Sequence, residues 1–167
     1  MSVKICNCIY KYAVKRKGTM VLICTFFGHR DTSAEIKPQL EAKLIDLIEQ
    51  YQVDTFYVGN HGRFDSMVES TLKKLKQRYP HIRYFVVLAY LPTEKTHSAP
   101  RDYAVTIYPD GLEHTLPKFA IVKRNRWMVE QCDFVVTYVT HPFGGAAQFK
   151  ELAEKKGKTV FNLADPT

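Results

Sequence analysis

Residues 21–30 read VLICTFFGHR, and this stretch decides the fold. Its first seven residues carry no charge and are almost all apolar, which is typical of a strand buried on both faces of a sheet. Such strands occur in parallel sheets whose two faces are covered by helices. The run leads directly into Gly28, His29 and Arg30. The stretch therefore predicts a buried parallel strand with a polar, glycine-bearing end.

Around this stretch, short apolar runs alternate with helical periods. Four further strands are predicted to begin near Thr55, Arg83, Phe134 and Thr159, each after a segment with apolar residues three or four apart. This alternation predicts an α/β fold with a doubly wound parallel sheet and helices on both faces. With right-handed crossovers we expect the strand order 3-2-1-4-5. In the irregular stretch 92–117, residues 105–108 are a candidate for a short extra strand.

The positive charge of the chain is concentrated at its start. The 167 residues carry a formal net charge of +7, from 24 Lys and Arg against 17 Asp and Glu. Five of these cations lie in residues 1–19, which hold no acid, so the remainder carries +2. We expect a basic N-terminal extension over 1–19 and a single domain over 20–167. The body gives no electrostatic argument for nucleic acid, whereas the extension could contact phosphate or be a solvated tail.

Other classes of protein are disfavoured by pattern. No stretch approaches the ~18 consecutive apolar residues of a membrane span. The four cysteines, at positions 6, 8, 24 and 132, follow neither a disulfide framework nor a zinc pattern. We therefore expect a reduced, cytoplasmic protein without a cofactor.

Three predicted strands end in glycine together with polar residues. The motifs begin at Gly28, at Gly59 and, after the fourth strand, at Phe143-Gly144-Gly145. Glycine lets the backbone approach a ligand closely, and the helix that follows favours an anion at its first turn. Because the carboxyl ends of parallel strands share one sheet edge, the motifs together predict a phosphate-bearing ligand there. Neither Gly-x-Gly-x-x-Gly nor a Walker sequence occurs, so an ordinary NAD domain and a P-loop ATPase are not supported.

Each charged side chain near these motifs could either contact a ligand or have only a structural or solvent-exposed position. Arg30, Arg124 and Arg126 could grip phosphate through their guanidinium forks, although the latter two could equally lie on a solvated helix face. His29 and His61 are candidates for ligand contact, and their spacing gives no metal signature. Asn125, Asp65 and Ala146 are also predicted to contact the ligand. Glu113 is a weak catalytic candidate, with a turn at 109–111 as the alternative.

These motifs, in this order, resemble the SLOG superfamily over about residues 20–163. The resemblance rests on the Gly28 and Gly59 motifs, the segment RNRWMV at 124–129 and the Gly144-Gly145-Ala146 turn. Within the superfamily, the chain looks most like small stand-alone bacterial proteins similar to YpsA. The resemblance implies a Rossmann-like sheet with a nucleotide or nucleotide-derived ligand at the strand carboxyl ends.

The resemblance also bears on catalysis. LOG enzymes of this superfamily cleave the N-glycosidic bond of nucleoside 5′-monophosphates with an Arg-Lys-x-x-Met helix and a Pro-Gly-Gly-x-Gly-Thr-x-x-Glu loop. Arg124 and Met128 match the first motif, with Asn125 in place of Lys. The loop motif can be aligned in two ways. If Gly144-Gly145 match its first two glycines, Ala147 and Gln148 replace the third Gly and the Thr, and Glu151 matches the Glu. If Gly145 instead matches the third Gly, Phe149 falls at the position of the Glu. Either register loses residues that grip phosphate.

We therefore predict binding or sensing of a nucleotide-like small molecule without turnover. The alternatives are a LOG-like phosphoribohydrolase and a DNA-binding module similar to DprA; a homo-oligomer is left open, and no metal is expected. Glu113 and Glu151 are the weak catalytic candidates. The predicted ligand-binding residues are Gly28, His29, Arg30, Gly59, His61, Gly62, Asp65, Arg124, Asn125, Arg126, Gly144, Gly145 and Ala146.

Overall fold

The computed structural model describes residues 21–91 and 106–165, which form one six-stranded sheet with helices on both faces. The extension predicted for residues 1–19 lies outside the described residues. The strands are β1 (Ile23–Gly28), β2 (Thr55–Val58), β3 (Arg83–Val87), β4 (Thr106–Ile107), β5 (Phe134–Tyr138) and β6 (Thr159–Asn162). The helices are α1 (Lys37–Glu49), α2 (Arg63–Arg78), α3 (Pro117–Gln131) and α4 (Gly145–Lys155).

The sheet is parallel throughout and runs in the order β4-β3-β2-β1-β5-β6. The predicted order of the five principal strands is confirmed, and the short strand at Thr106–Ile107 extends the sheet beyond β3. The chain changes direction across the sheet between β1 and β5. That switch opens a crevice beyond the carboxyl ends of β1 and β5, where doubly wound folds bind ligands.

Two hydrophobic clusters fix the helices to the sheet. On one face, Cys24, Phe26 and Phe56 pack with buried residues of α1 and α2. On the other face, Phe27 and Val135 pack with the buried residues of α3 and α4. Alternate residues of β1 thus enter opposite clusters, which is why its sequence is apolar without a break.

Proline, serine and glycine residues mark the starts of the helices. Pro38 and Pro117 occupy the first turns of α1 and α3, where the missing N–H costs nothing. Ser33 caps a single 3-10 turn (Ala34–Ile36) ahead of α1. Helix α2 begins at Arg63 directly after Gly62, whose φ of 106° is left-handed. Among the described helices, none combines the length and apolar character needed to cross a bilayer.

Candidate functional site

A cavity of about 310 Å³ lies beyond the carboxyl ends of β1 and β2, and we call it the strand-end cavity. Its volume is at the lower end of the ~300–1,000 Å³ usual for ligand pockets. Ten of the thirteen predicted ligand-binding residues line it, together with Phe26, Phe27 and Ile121, which give it an apolar wall. The ten are Gly28, His29, Arg30, Gly59, His61, Asp65, Arg124, Asn125, Gly145 and Ala146.

The glycines at this edge serve two different purposes. A Cβ on Gly28 would overlap the ring of Phe64 at the start of α2. A Cβ on Gly59 would overlap the Asp65 carboxylate and lie 3.0 Å from Arg124 Nη1. The position that a side chain would take at these two glycines is thus filled by the protein itself, and their contact with a ligand stays a prediction.

Gly144 and Gly145, in contrast, face open space. A Cβ at either position would have no heavy atom of the described residues within 4 Å. Gly144 has a φ of 92°, and within the described residues no side chain caps the helix that it precedes. The first residues of α4, Gly145 and Ala146, line the cavity, and an uncapped helix start of this kind favours an anion.

Arg124 is a buried cation in the wall of the strand-end cavity. Its side chain is only 2% exposed, so the alternative of a solvated helix face is wrong for this residue. Nη1 donates to the Val87 carbonyl at 2.7 Å and, at the long distance of 3.4 Å, to Asn60 Oδ1. Nε is buried and has no hydrogen-bond partner among the described residues. A buried donor of this kind needs a partner, which a ligand in the cavity could supply.

Asp65 is the buried carboxylate beside this arginine. Burial raises its pKa to about 6, and the nearby Arg124 charge and the backbone N–H of His61 oppose that rise. Its Oδ2 accepts the His61 N–H at 2.9 Å. Burial is also the first cause that lowers the pKa of His61. The cavity thus holds two permanent cations, Arg30 and Arg124, and one carboxyl group that takes up a proton just below neutral pH.

Three aromatic rings stack outward from His29, which lines the strand-end cavity, whereas His141 lines a separate cavity of about 400 Å³. His29 lies on His141 with ring centroids 3.9 Å apart, and His141 lies on Phe143 at 4.0 Å. His29 Nε2 accepts the backbone N–H of Thr140 at 3.2 Å, so its proton is on Nδ1. The sequence analysis named His29 as a candidate and did not predict its stacking with His141 and Phe143.

The other predicted residues lie outside the strand-end cavity. Arg126 is exposed on α3. Glu113 is exposed beside His114, and Glu151 pairs with Lys155 on the surface of α4. Neither glutamate lines the strand-end cavity, so the structure does not bring the weak catalytic candidates to it. Among residues 21–91 and 106–165, no group of His, Cys, Asp and Glu side chains is arranged to hold a metal ion.

An open groove of about 750 Å³ adjoins the cavity along the first turns of α2. Gly62 lines this groove, and Arg30 and His61 line both spaces. Lys37 and Arg63 add two cations. Neither they nor Arg30 form an ion pair with a described residue. The groove is thus a positively charged continuation of the strand-end cavity.

Comparison with known proteins gives one informative likeness. No protein-family model matches the chain, and no curated protein sequence matches it. Among solved structures, DNA processing protein A (DprA) from Streptococcus pneumoniae superimposes with a TM-score of 0.62 at 18% sequence identity. The match covers 85% of this chain and 50% of the DprA chain, so this chain spans about half of that protein. At this level of identity the likeness concerns the fold, and it shows that the chain has a Rossmann-like α/β fold.

Proposed function

We propose that the protein binds a nucleotide or nucleotide-derived ligand in the strand-end cavity and does not convert it. The observation that carries this proposal is the buried Arg124, whose Nε is unpartnered among the described residues, in the same cavity as the open first turn of α4. A guanidinium and a helix N-terminus are the two devices with which proteins hold phosphate. The apolar wall of Phe26, Phe27 and Ile121 suits the less polar part of such a ligand.

We further propose that the chain is a member of the SLOG superfamily, close to the small proteins similar to YpsA. The Rossmann-like fold is the one that this assignment requires. Arg124 and Met128 match two positions of the Arg-Lys-x-x-Met motif, and Gly144-Gly145 match two glycines of the loop motif, which supports this proposal. A cytoplasmic location and a homo-oligomer stay predictions.

Absence of turnover is proposed from the position of the carboxylates. Glu113 and Glu151 lie outside the cavity, and Asp65 is the carboxylate that lines it. One oxygen of Asp65 is engaged by the His61 N–H. A LOG-like hydrolase remains the alternative, because a carboxyl group with a pKa raised to about 6 is suited to proton transfer.

Binding of single-stranded nucleic acid is the second candidate function. The groove beside the cavity supports it, because Arg30, Lys37 and Arg63 lie along its walls. A chain of phosphates would follow such a groove, and its binding would weaken steeply with salt.

The proposal predicts that nucleoside 5′-phosphates stabilise the protein and that Gly145→Val abolishes the effect. A bound ligand raises the melting temperature by mass action. Valine at position 145 would fill open space where the phosphate is expected, while the described residues leave it room to fold. We expect at least a tenfold weaker affinity by calorimetric titration. Ala42→Val, at an exposed position of α1, is the matched control.

The same titration separates the alternatives. Release of free base from the nucleotides would assign the hydrolase. Tighter binding of an oligonucleotide than of mononucleotides, with a steep salt dependence, would assign the nucleic-acid function. Equal affinity in wild type and Gly145→Val would remove the first turn of α4 from the site.

A second prediction is that anion affinity rises as the pH falls from 7.5 to 5.5. Asp65 takes up a proton in this range because burial raises its pKa to about 6. Loss of its negative charge removes repulsion from a bound anion. We expect about a threefold to tenfold gain, since uptake of one proton allows at most about tenfold per pH unit. Sulfate is the probe, because its charge is constant over this range.

Asp65→Asn is the control for this pH dependence. The variant should bind sulfate at pH 7.5 about as tightly as the wild type does at pH 5.5, with a flat profile. A profile that persists unchanged in Asp65→Asn would assign the titration to His29 and His61, which also line the cavity.

A further inference from the structure

The stack that begins at His29 in the strand-end cavity ends on an exposed aromatic side chain. Phe143 is 68% exposed, although one face of its ring lies on His141 at 4.0 Å with an interplanar angle of 21°. The opposite face is therefore the exposed one. An isolated exposed phenylalanine is ordinary in proteins, whereas this ring is the outer member of a supported stack.

The stack is anchored to the sheet. His29 follows β1 directly, and its Nε2 accepts the Thr140 N–H, which ties it to the segment after β5. Burial and the neighbouring His141 lower the pKa of His29. Both effects favour an uncharged imidazole at neutral pH, so the rings stack without charge repulsion. Phe143 is thus held in place before any ligand arrives.

Phe143 also lies next to the expected phosphate position. It directly precedes Gly144 and Gly145, and consecutive Cα atoms are about 3.8 Å apart. The first turn of α4 and the ring of Phe143 therefore lie within the span of a single nucleoside phosphate. Gly144, with its left-handed φ of 92°, makes the sharp turn between the two.

We propose that Phe143 is the base-stacking platform of the site, on which a planar aromatic base of the ligand lies while its phosphate occupies the first turn of α4. This proposal rests on the proposed function of nucleotide binding and adds a requirement for an aromatic base. Stacking on a ring tolerates every base, because each presents a π face. The platform therefore selects ligands with a base over sugar phosphates, and it does not select among bases.

The test compares adenosine 5′-monophosphate and uridine 5′-monophosphate with ribose 5-phosphate. Wild-type protein should bind both nucleotides more tightly than the sugar phosphate. Phe143→Ala should weaken nucleotide binding about fivefold to hundredfold and leave ribose 5-phosphate unaffected. Phe143→Tyr should keep the wild-type affinity, because it keeps the ring. Phe119→Ala is the matched control, since Phe119 is a 52% exposed phenylalanine on α3.

The outcomes distinguish the stacking role of Phe143 from the nucleotide binding on which it rests. Equal binding of nucleotides and ribose 5-phosphate, or unchanged nucleotide affinity in Phe143→Ala, would overturn the platform and leave the phosphate site intact. Failure of all three compounds to bind would overturn both proposals. A fall in melting temperature for Phe143→Ala beyond that of Phe119→Ala, with an equal loss of all three affinities, would show that the ring only supports the turn.

Discussion

Arg124→Ala is expected to lower the free energy of unfolding by about 1.5–3 kcal/mol, the usual contribution of a hydrogen bond made by a charged group. The variant loses the hydrogen bond to the Val87 carbonyl. It also leaves Asp65 buried without its neighbouring cation. Both losses occur in the wall of the strand-end cavity, so the fold and the site are weakened together.

The destabilisation should be larger at pH 8 than at pH 5. In the wild type, the pKa of Asp65 is raised by burial to about 6, from an ordinary value of 3.8, and Arg124 limits that rise. Without Arg124 the folded-state pKa rises further, so the folded variant is penalised at pH 8, where Asp65 would be ionised. At pH 5 the folded wild type already carries the proton, and this part of the penalty disappears. Urea denaturation at both pH values measures the difference.

Arg126→Ala provides the control on the same helix, because that arginine is exposed. It should change stability by less than ~0.5 kcal/mol. Arg124→Lys should recover part of the nucleotide affinity and stability, since it keeps the charge without the guanidinium fork. In conditions where Arg124→Ala is folded, its nucleotide affinity should fall about tenfold to hundredfold. Equal stability of the two alanine variants would contradict the role of Arg124 as a buried cation.

Much of the fold could be predicted because strand burial leaves a strong pattern in sequence. The stretch 21–30 is apolar without a break since its residues enter two hydrophobic clusters on opposite faces. The order of strands then follows from the handedness of the crossovers. The start of α2 leaves no such pattern, because Gly62 precedes it with a left-handed backbone and without a capping side chain.

The sequence predicted where the candidate site lies better than it predicted what each of its residues contacts. Strand-end residues share an edge in any doubly wound sheet, so ten of the thirteen predicted residues meet at one cavity. The burial of Arg124 did have a signal, because Ala120, Arg124 and Met128 are four residues apart and all three are buried. An arginine within such a stripe indicates a buried cation that needs hydrogen-bond acceptors inside the protein. The stack of His29, His141 and Phe143 left no signal in the sequence, because it depends on how two turns that are distant in the chain meet.

Gly28 shows what a sequence pattern leaves undetermined about glycine. A glycine after a strand is consistent with a ligand or with a neighbouring side chain above it, and the chain spacing does not distinguish the two. Here Phe64, which is 1% exposed, occupies that space. The close approach of β1 and α2 thus depends on a missing side chain.

Gly28→Ala is therefore expected to destabilise the fold by about 1–3 kcal/mol, the usual cost of overpacking a core. The new methyl group would overlap the Phe64 ring and lie 2.8 Å from Phe64 Cβ. Rotation of the ring does not relieve the second contact, so α2 itself must move away from β1.

Gly145→Ala is the control, because it faces open space without a left-handed φ, and it should leave stability unchanged or raise it by up to ~1 kcal/mol. Phe64→Leu should cost less in the Gly28→Ala background than in the wild type, which a double-mutant cycle by urea denaturation measures. If Gly28→Ala proved as stable as Gly145→Ala yet bound nucleotide less tightly, the interpretation of Gly28 as a point of ligand approach would be supported.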